Sequence, residues 1–231
     1  GYGKKVFNEK SITNPLTNYS KNKLKIEKAL AKLSGKDFSP IALRFSTVFG
    51  FSSRIRLDLV INMLCMHAIT KKKIILNSNG LAWRPHISID DVCLAFYLCL
   101  ISNINNGKLN IFNIGHNKNN LQIIKIAKII KNLTKAKIYF KLDEKKDFIY
   151  DRNIKNGADK RSYKVDFSKF KKEFPEFKQK NNLKFEIKNL ISRLRKYKLT
   201  NKILNNFKFY RLQKMEYLLK NKKINKNLFW S

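Results

Sequence analysis

Glycine is scarce in this chain of 231 residues, with 8 in all, and nowhere do three form a Gly-x-x-Gly-x-x-Gly run. Such a turn lets backbone N–H groups close around phosphate at a helix N-terminus, so no stretch here supplies that device. Cysteine is also rare. Cys65, Cys93 and Cys99 sit in apolar, helix-like segments without metal-ligand spacing, which suggests a reducing cytoplasm and no metal. No apolar run approaches the roughly 18–20 residues needed to cross a bilayer. The opening residues, Gly1-Tyr2-Gly3-Lys4-Lys5, lead into polar sequence rather than the apolar stretch of a signal peptide, so no membrane partner is expected. Acidic residues are the last shortage, with 16 Asp and Glu against 50 Lys and Arg for a formal net charge of +34.

A charge of that size favours nucleic acid or an anionic membrane as partner. Its distribution argues otherwise. Basic residues are spread along the whole chain, densest towards the C-terminus, with no Arg-rich block and no aromatic-interleaved RNA motif. Lys, Asn and Ile are abundant throughout, as AT-rich coding would give, so compositional drift explains the charge better than a nucleic-acid function. A phosphate-bearing substrate would still feel the field. With 43% hydrophobic and 12% aromatic residues the chain can bury a real core, which excludes wholesale disorder.

Strand-like and helix-like segments alternate, the pattern of an α/β fold. Helical periodicity runs from about Thr17 to Leu33, with Leu24, Ala29 and Leu33 on one apolar side. Ser34-Gly35 ends it, and Pro40 precedes a strand, Ile41 to Phe45. A second helix is expected from about Arg56 to Thr70, a strand at Lys73 to Leu76 and a turn at Asn79-Gly80. Trp83 to Ile87 leads into a helix, Ile89 to Leu100, favoured at its start by Asp90 and Asp91. Lys108 to Ile114 reads as a strand, Leu121 to Leu133 as a helix, 143–159 as a polar loop, and two more helices follow Asn181.

Tyr19 and Lys23, four residues apart on the first helix, emerge on one face, where the ammonium favours an anionic phenol oxygen and so an acid/base role. In a chain with nine tyrosines the spacing also arises by accident, and it recurs at Tyr210 and Lys214. An ordinary surface pair is the simpler reading of either match alone. Context separates them. Tyr2-Gly3, Glu9 and Asn14-Pro15 precede Tyr19, and Leu24 and Glu27 follow Lys23. Further on come Leu43-Arg44-Phe45 with Val48-Phe49-Gly50, Arg54-x-Arg56-Leu57-Asp58, the run Arg84 to Val92, Asn113-Ile114-Gly115 and Asp159-Lys160-Arg161-Ser162-Tyr163. The tail, Phe209-Tyr210-Arg211-Leu212 to Leu228-Phe229-Trp230, completes the series and claims the second Tyr-x-x-x-Lys match.

This ordered string resembles the extended short-chain dehydrogenases, the NAD-dependent epimerases and dehydratases of nucleotide sugars, with Phe49 where the family usually has Tyr. The resemblance implies the C-terminal part of a Rossmann-type parallel sheet domain plus a smaller α/β substrate-binding domain. Residues 1–50 would carry the Tyr-x-x-x-Lys helix of the cofactor domain, 51–200 mainly the substrate-binding region, and 201–231 a basic helical tail. It implies NAD as cofactor, with NADP the alternative, and a nucleotide-diphosphate sugar as substrate. Tyr19 would exchange a proton with a sugar hydroxyl, and Lys23 would hold the nicotinamide ribose, with Phe45 beside the cofactor. Arg84 and Arg161 would grip the diphosphate, because a guanidinium binds phosphate oxygens bidentately. Asp58 and Asn62 are weaker candidates for nucleotide or phosphate contacts, and Thr47 for the sugar. The bland alternatives are a surface Arg84, an Arg56 paired with Asp58, a solvated Arg161 and a His86 that packs internally. The resemblance also allows a homodimer and a role in surface-polysaccharide precursor synthesis.

The family places its glycine-rich turn, and a Ser or Thr before Tyr-Gly, at positions that would precede residue 1. The expectation is that about 100–120 residues of a cofactor-binding half are missing, and that the chain as given binds NAD poorly and is inactive alone. Dehydratases of the family carry an acidic pair just before the catalytic Tyr. Asn14-Pro15-Leu16 holds none, so epimerase leads. The alternative from another class is a basic, non-catalytic protein contacting RNA or anionic surfaces, with affinity that falls steeply with salt.

Overall fold

Thr17 opens the first long helix with a reciprocal cap. Its Oγ1 accepts from the Ser20 backbone N–H at 3.2 Å, while Ser20 Oγ accepts from the Thr17 N–H at 3.0 Å. In the computed structural model, which describes residues 2–140, 161–197 and 209–230, this helix is α1, Asn18–Leu33. The expected loop at 143–159 lies outside the described residues, as do Asp159 and Lys160 of the late motif. Strand β1 (Tyr2–Phe7) precedes α1, and β2 (Ile41–Phe45) and β3 (Thr47–Phe49) follow it.

The middle of the chain contains α2 (Val60–Thr70), β4 (Lys73–Leu76), β5 (Trp83–Ser88), α3 (Ile89–Leu100), β6 (Asn110–Ile114), β7 (Asn120–Gln122) and α4 (Ile123–Thr134). Strands β8 (Lys137–Phe140) and β9 (Ser162–Val165) come next, then helices α5 (Ser168–Glu173), α6 (Leu183–Lys196) and α7 (Arg211–Lys220). Parallel pairing dominates: β2 with β6 in register from Ile41 opposite Asn110 to Phe45 opposite Ile114, β3 with β5, β4 with β8 and β1 with β9. Only β5 with β7 is antiparallel among the described pairs. Parallel neighbours joined through helices are the mark of α/β architecture.

Two hydrophobic cores result, each drawing on segments far apart in sequence. One gathers α2, β4, α4 and α6 around Ile61, Leu64, Ile74, Ile130 and Ile187. The other packs β6, α3 and α5 around Phe112, Phe170, Phe174 and Phe177, with edge-to-face contacts such as Phe112 on Phe170 at 5.5 Å. Helix α1 buries no residue, and of the three residues expected on its apolar side Ala29 and Leu33 are exposed. What ties α1 to the sheet is charge. Arg44 Nε and Nη2 donate to the two Glu27 carboxylate oxygens at 2.8 and 2.5 Å. That bidentate bond holds the Arg44 guanidinium above its ordinary pKa, against partial burial.

Three boundaries differ from the sequence expectation. Helix α2 starts at Val60 rather than Arg56, because Arg56 and Asp58 pair with each other at 2.5 Å in the turn before it. Helix α4 starts at Ile123 rather than Leu121, because residues 120–122 pair with β5. Strand β6 starts at Asn110, where pairing with Ile41 begins, rather than at Lys108. Among the described residues no helix is long and apolar enough to cross a membrane.

Candidate active site

The cap at Thr17 places Tyr19 in the first turn of α1, on its open side, where the residue is 72% exposed. Lys23 lies one turn later, and its Nζ sits 5.6 Å from the centroid of the Tyr19 ring. The spacing therefore does bring the ammonium to the phenol. The competing pair behaves differently. Tyr210 is half-buried against the α2–α4–α6 core, and burial, with the Asp58 carboxylate, pushes its hydroxyl above the ordinary tyrosine pKa. An acid/base group working near neutrality needs the opposite shift.

Below α1, Phe45 ends β2 and meets Phe96 of α3 at 5.2 Å. Ser46 follows it, buried, its hydroxyl donating to the Ile114 carbonyl at 2.9 Å. Thr47, just beyond β2, opens β3 and lies opposite His86 in the β3–β5 register. Glu9 reaches across to accept from the Asn113 backbone N–H at 2.8 Å, which joins the segment before α1 to the end of β6.

Of the two arginines singled out for the diphosphate, Arg84 stands on β5 and Arg161 just before β9. Arg84 is 8% exposed, and its Nη1 donates to the Trp83 carbonyl at 2.9 Å and also to the Arg161 carbonyl. Its guanidinium lies over the Tyr163 ring at 5.1 Å, and the Trp83 N–H donates to Ser162 Oγ at 3.1 Å. The sequence did not foresee the ring beneath Arg84, although Tyr163 belongs to the same late motif as Arg161. Arg84 is thus a buried residue that fastens β5 to β9, not a surface arginine. His86 is fully buried, and neither ring nitrogen has a hydrogen-bond partner among the described residues. It packs internally, as the bland reading of this residue has it.

Asn62 and Asp58 have protein partners. Asn62 Oδ1 accepts from the Gly50 N–H at 3.0 Å and its Nδ2 donates to the Arg56 carbonyl at 2.9 Å. Gly50 has φ +134°, a conformation that L side chains rarely adopt, so this bond fixes the turn after β3. Asn62, with its amide bonded to backbone on both sides, shapes that turn instead of presenting itself to a ligand. Asp58 is occupied by Arg56, as the bland reading of Arg56 has it. Tyr19 and Lys23 therefore meet on α1, while the Arg84 side chain on β5 meets the Arg161 backbone just before β9.

Comparison with known proteins matches residues 2–115 to the family described as "NAD dependent epimerase/dehydratase family". Among solved structures, MoeE5 in complex with UDP-glucose and NAD superposes with a TM-score of 0.66 at 22% identity, over 86% of this chain and 62% of that one. The dTDP-glucose 4,6-dehydratase of Bacillus anthracis in complex with NAD gives 0.64 at 20% identity, over 92% and 60%. The UDP-glucose 4-epimerase of Thermotoga maritima with UDP-glucose gives 0.65 at 21% identity, over 86% and 60%. The chain thus spans about three-fifths of the length of these structures, and the likeness shows a Rossmann-like α/β fold.

Proposed function

We propose, for a chain whose residues 2–115 belong to the NAD-dependent epimerase/dehydratase family, that it acts in the NAD-dependent conversion of a nucleotide-diphosphate sugar. The carrying observation is the Tyr19–Lys23 pair on the open side of a capped helix within that segment. Tyr19 accepts the proton of a sugar hydroxyl, with the Lys23 ammonium over its ring. NAD, when bound, supplies the acceptor for the hydride leaving the same carbon. An exposed phenol and an ammonium donor suit the nicotinamide ribose, so Tyr19, Lys23 and Phe45 are the residues that would hold it. The keto-sugar so formed takes its proton back from Tyr19 once its carbon is reduced again. Epimerisation is favoured over dehydration because Asn14-Pro15-Leu16 offers no acidic pair before Tyr19.

In this reading Arg161 contacts the diphosphate, and Arg84, buried and bonded to two backbone carbonyls, holds the segment that carries it. The UDP-glucose and NAD in the similar structures support a nucleotide sugar as the ligand class. Titration calorimetry with UDP-glucose tests it. Arg161→Ala should weaken binding by about ten- to a hundredfold, the worth of one charge-assisted contact to phosphate. Unchanged affinity in that variant would remove Arg161 from the site. The second reading, a basic non-catalytic binding protein, draws on the net charge alone and leaves the Tyr19–Lys23 pair without a purpose.

A further inference from the structure

The loop after β6 and the segment beginning at Phe167 face each other across a cleft of about 580 Å³. Sites for nucleotide-sized ligands fall in this range, roughly 300–1,000 Å³. Lys118, Lys171, Lys172 and Lys178 contribute to its walls, and among the described residues no Asp or Glu does. All four lysines are exposed.

The walls are tied together before any ligand arrives. Asn117 Oδ1 accepts from the Phe167 N–H at 3.0 Å, and its Nδ2 donates to Asp166 at 3.2 Å. The His116 ring stacks on Phe177 with centroids 4.9 Å apart and planes 10° from parallel. Gln179 donates to Asn119 at 3.3 Å. Gly115 permits this close approach, since a Cβ there would stand 2.3 Å from Ser46 Oγ and 2.7 Å from the Phe167 ring. Two carboxylates bonded to its lining residues are already engaged. Asp166 accepts from Ser168 Oγ at 2.7 Å and from Asn117, and Asp91 lies 3.0 Å from His116 Nε2. A cleft walled by one sign of charge focuses its field, and a preformed one loses little entropy when it closes on a ligand.

We propose that this cleft is a second binding site, for a phosphate-bearing small molecule of about nucleotide size. It is distinct from the site proposed for the nucleotide sugar, because none of Tyr19, Lys23, Arg84 and Arg161 lines it. It stands whether or not the catalytic reading does.

The test is calorimetry on the full chain with pyrophosphate and with ADP, at about 0.15 M ionic strength, where diffuse surface attraction is screened. Saturable binding is expected, weakened at least about tenfold by Lys171→Glu with Lys172→Glu. Lys128→Glu with Lys131→Glu on α4 removes the same charge and should change the affinity by less than about twofold. Circular dichroism confirms that both variants are folded. Equal weakening by the two double variants would overturn the proposal in favour of a diffuse field. So would binding that survives the Lys171/Lys172 change but is lost in Arg161→Ala, which would assign the anion to the nucleotide-sugar site. An RNA oligomer that binds more tightly than ADP, and that both double variants weaken alike, would also overturn it.

Discussion

Tyr19→Phe, made in the full product of this reading frame, is expected to lower the rate of nucleotide-sugar conversion by about 10²–10⁴, the usual contribution of a positioned acid/base group. Its effect on stability should stay within about 0.5 kcal/mol, because the side chain is 72% exposed and its hydroxyl supports no packing. Cofactor binding should persist, since Lys23 remains. Tyr210→Phe is the control. It alters the other Tyr-x-x-x-Lys match, which lies against the core, and the rate should not change. Steady-state kinetics and denaturant unfolding of the two variants separate a chemical role from a structural one. A Tyr19→Phe enzyme with the wild-type rate would leave the pair an ordinary surface contact.

The second large effect is on stability against acid. Burial, reinforced by the neighbouring Arg84 cation, pushes the His86 pKa down to about 3 from its ordinary 6.5. The folded state therefore keeps this ring neutral, while the unfolded chain protonates it once the pH drops below about 6.5. Stability is fully present above that value, declines as pH falls towards 3, and levels off below the folded pKa. Between about pH 7 and about pH 5 the expected loss from His86 alone is about 2 kcal/mol. His67, lowered to about 4 by burial and then Lys71, acts in the same direction, with a smaller effect because it is partly solvated. Among the described residues neither His86 nitrogen has a partner, so His86→Leu removes none of the described hydrogen bonds. It should be neutral or stabilising at pH 7 and should flatten the pH dependence. Urea unfolding at the two pH values measures this, and identical pH dependence in variant and wild type would contradict it.

Local signals made much of the fold legible. Thr17 before a helical period, Asp90 and Asp91 at the start of α3, and Gly80 in its turn with φ +71° each act within a few residues. Strands β7, β8 and β9 were not legible. They are three or four residues long in Lys- and Asn-rich sequence, and their pairing with β5, β4 and β1 fixes them. Helix α2 looked longer than it is because Arg56 and Asp58, which suit a helix, pair in the turn before it. The site divides the same way. Tyr19 and Lys23 are neighbours through helix geometry alone, whereas the Glu27–Arg44 lock and the ring under Arg84 join residues 17 and 79 positions apart, which no single segment reveals. The lysine cleft was hidden for a related reason. In a chain this rich in lysine only folding shows which ones share a wall.

The most direct test of the central claim is to mix the full product of the reading frame with NAD and UDP-glucose under single-turnover conditions and follow reduced nicotinamide together with the keto-sugar. Both should appear in step, and deuterium on the oxidised carbon should slow their appearance. UDP-glucose and NAD bound without any reduced nicotinamide would contradict it, and would leave Tyr19 and Lys23 as residues of a binding protein.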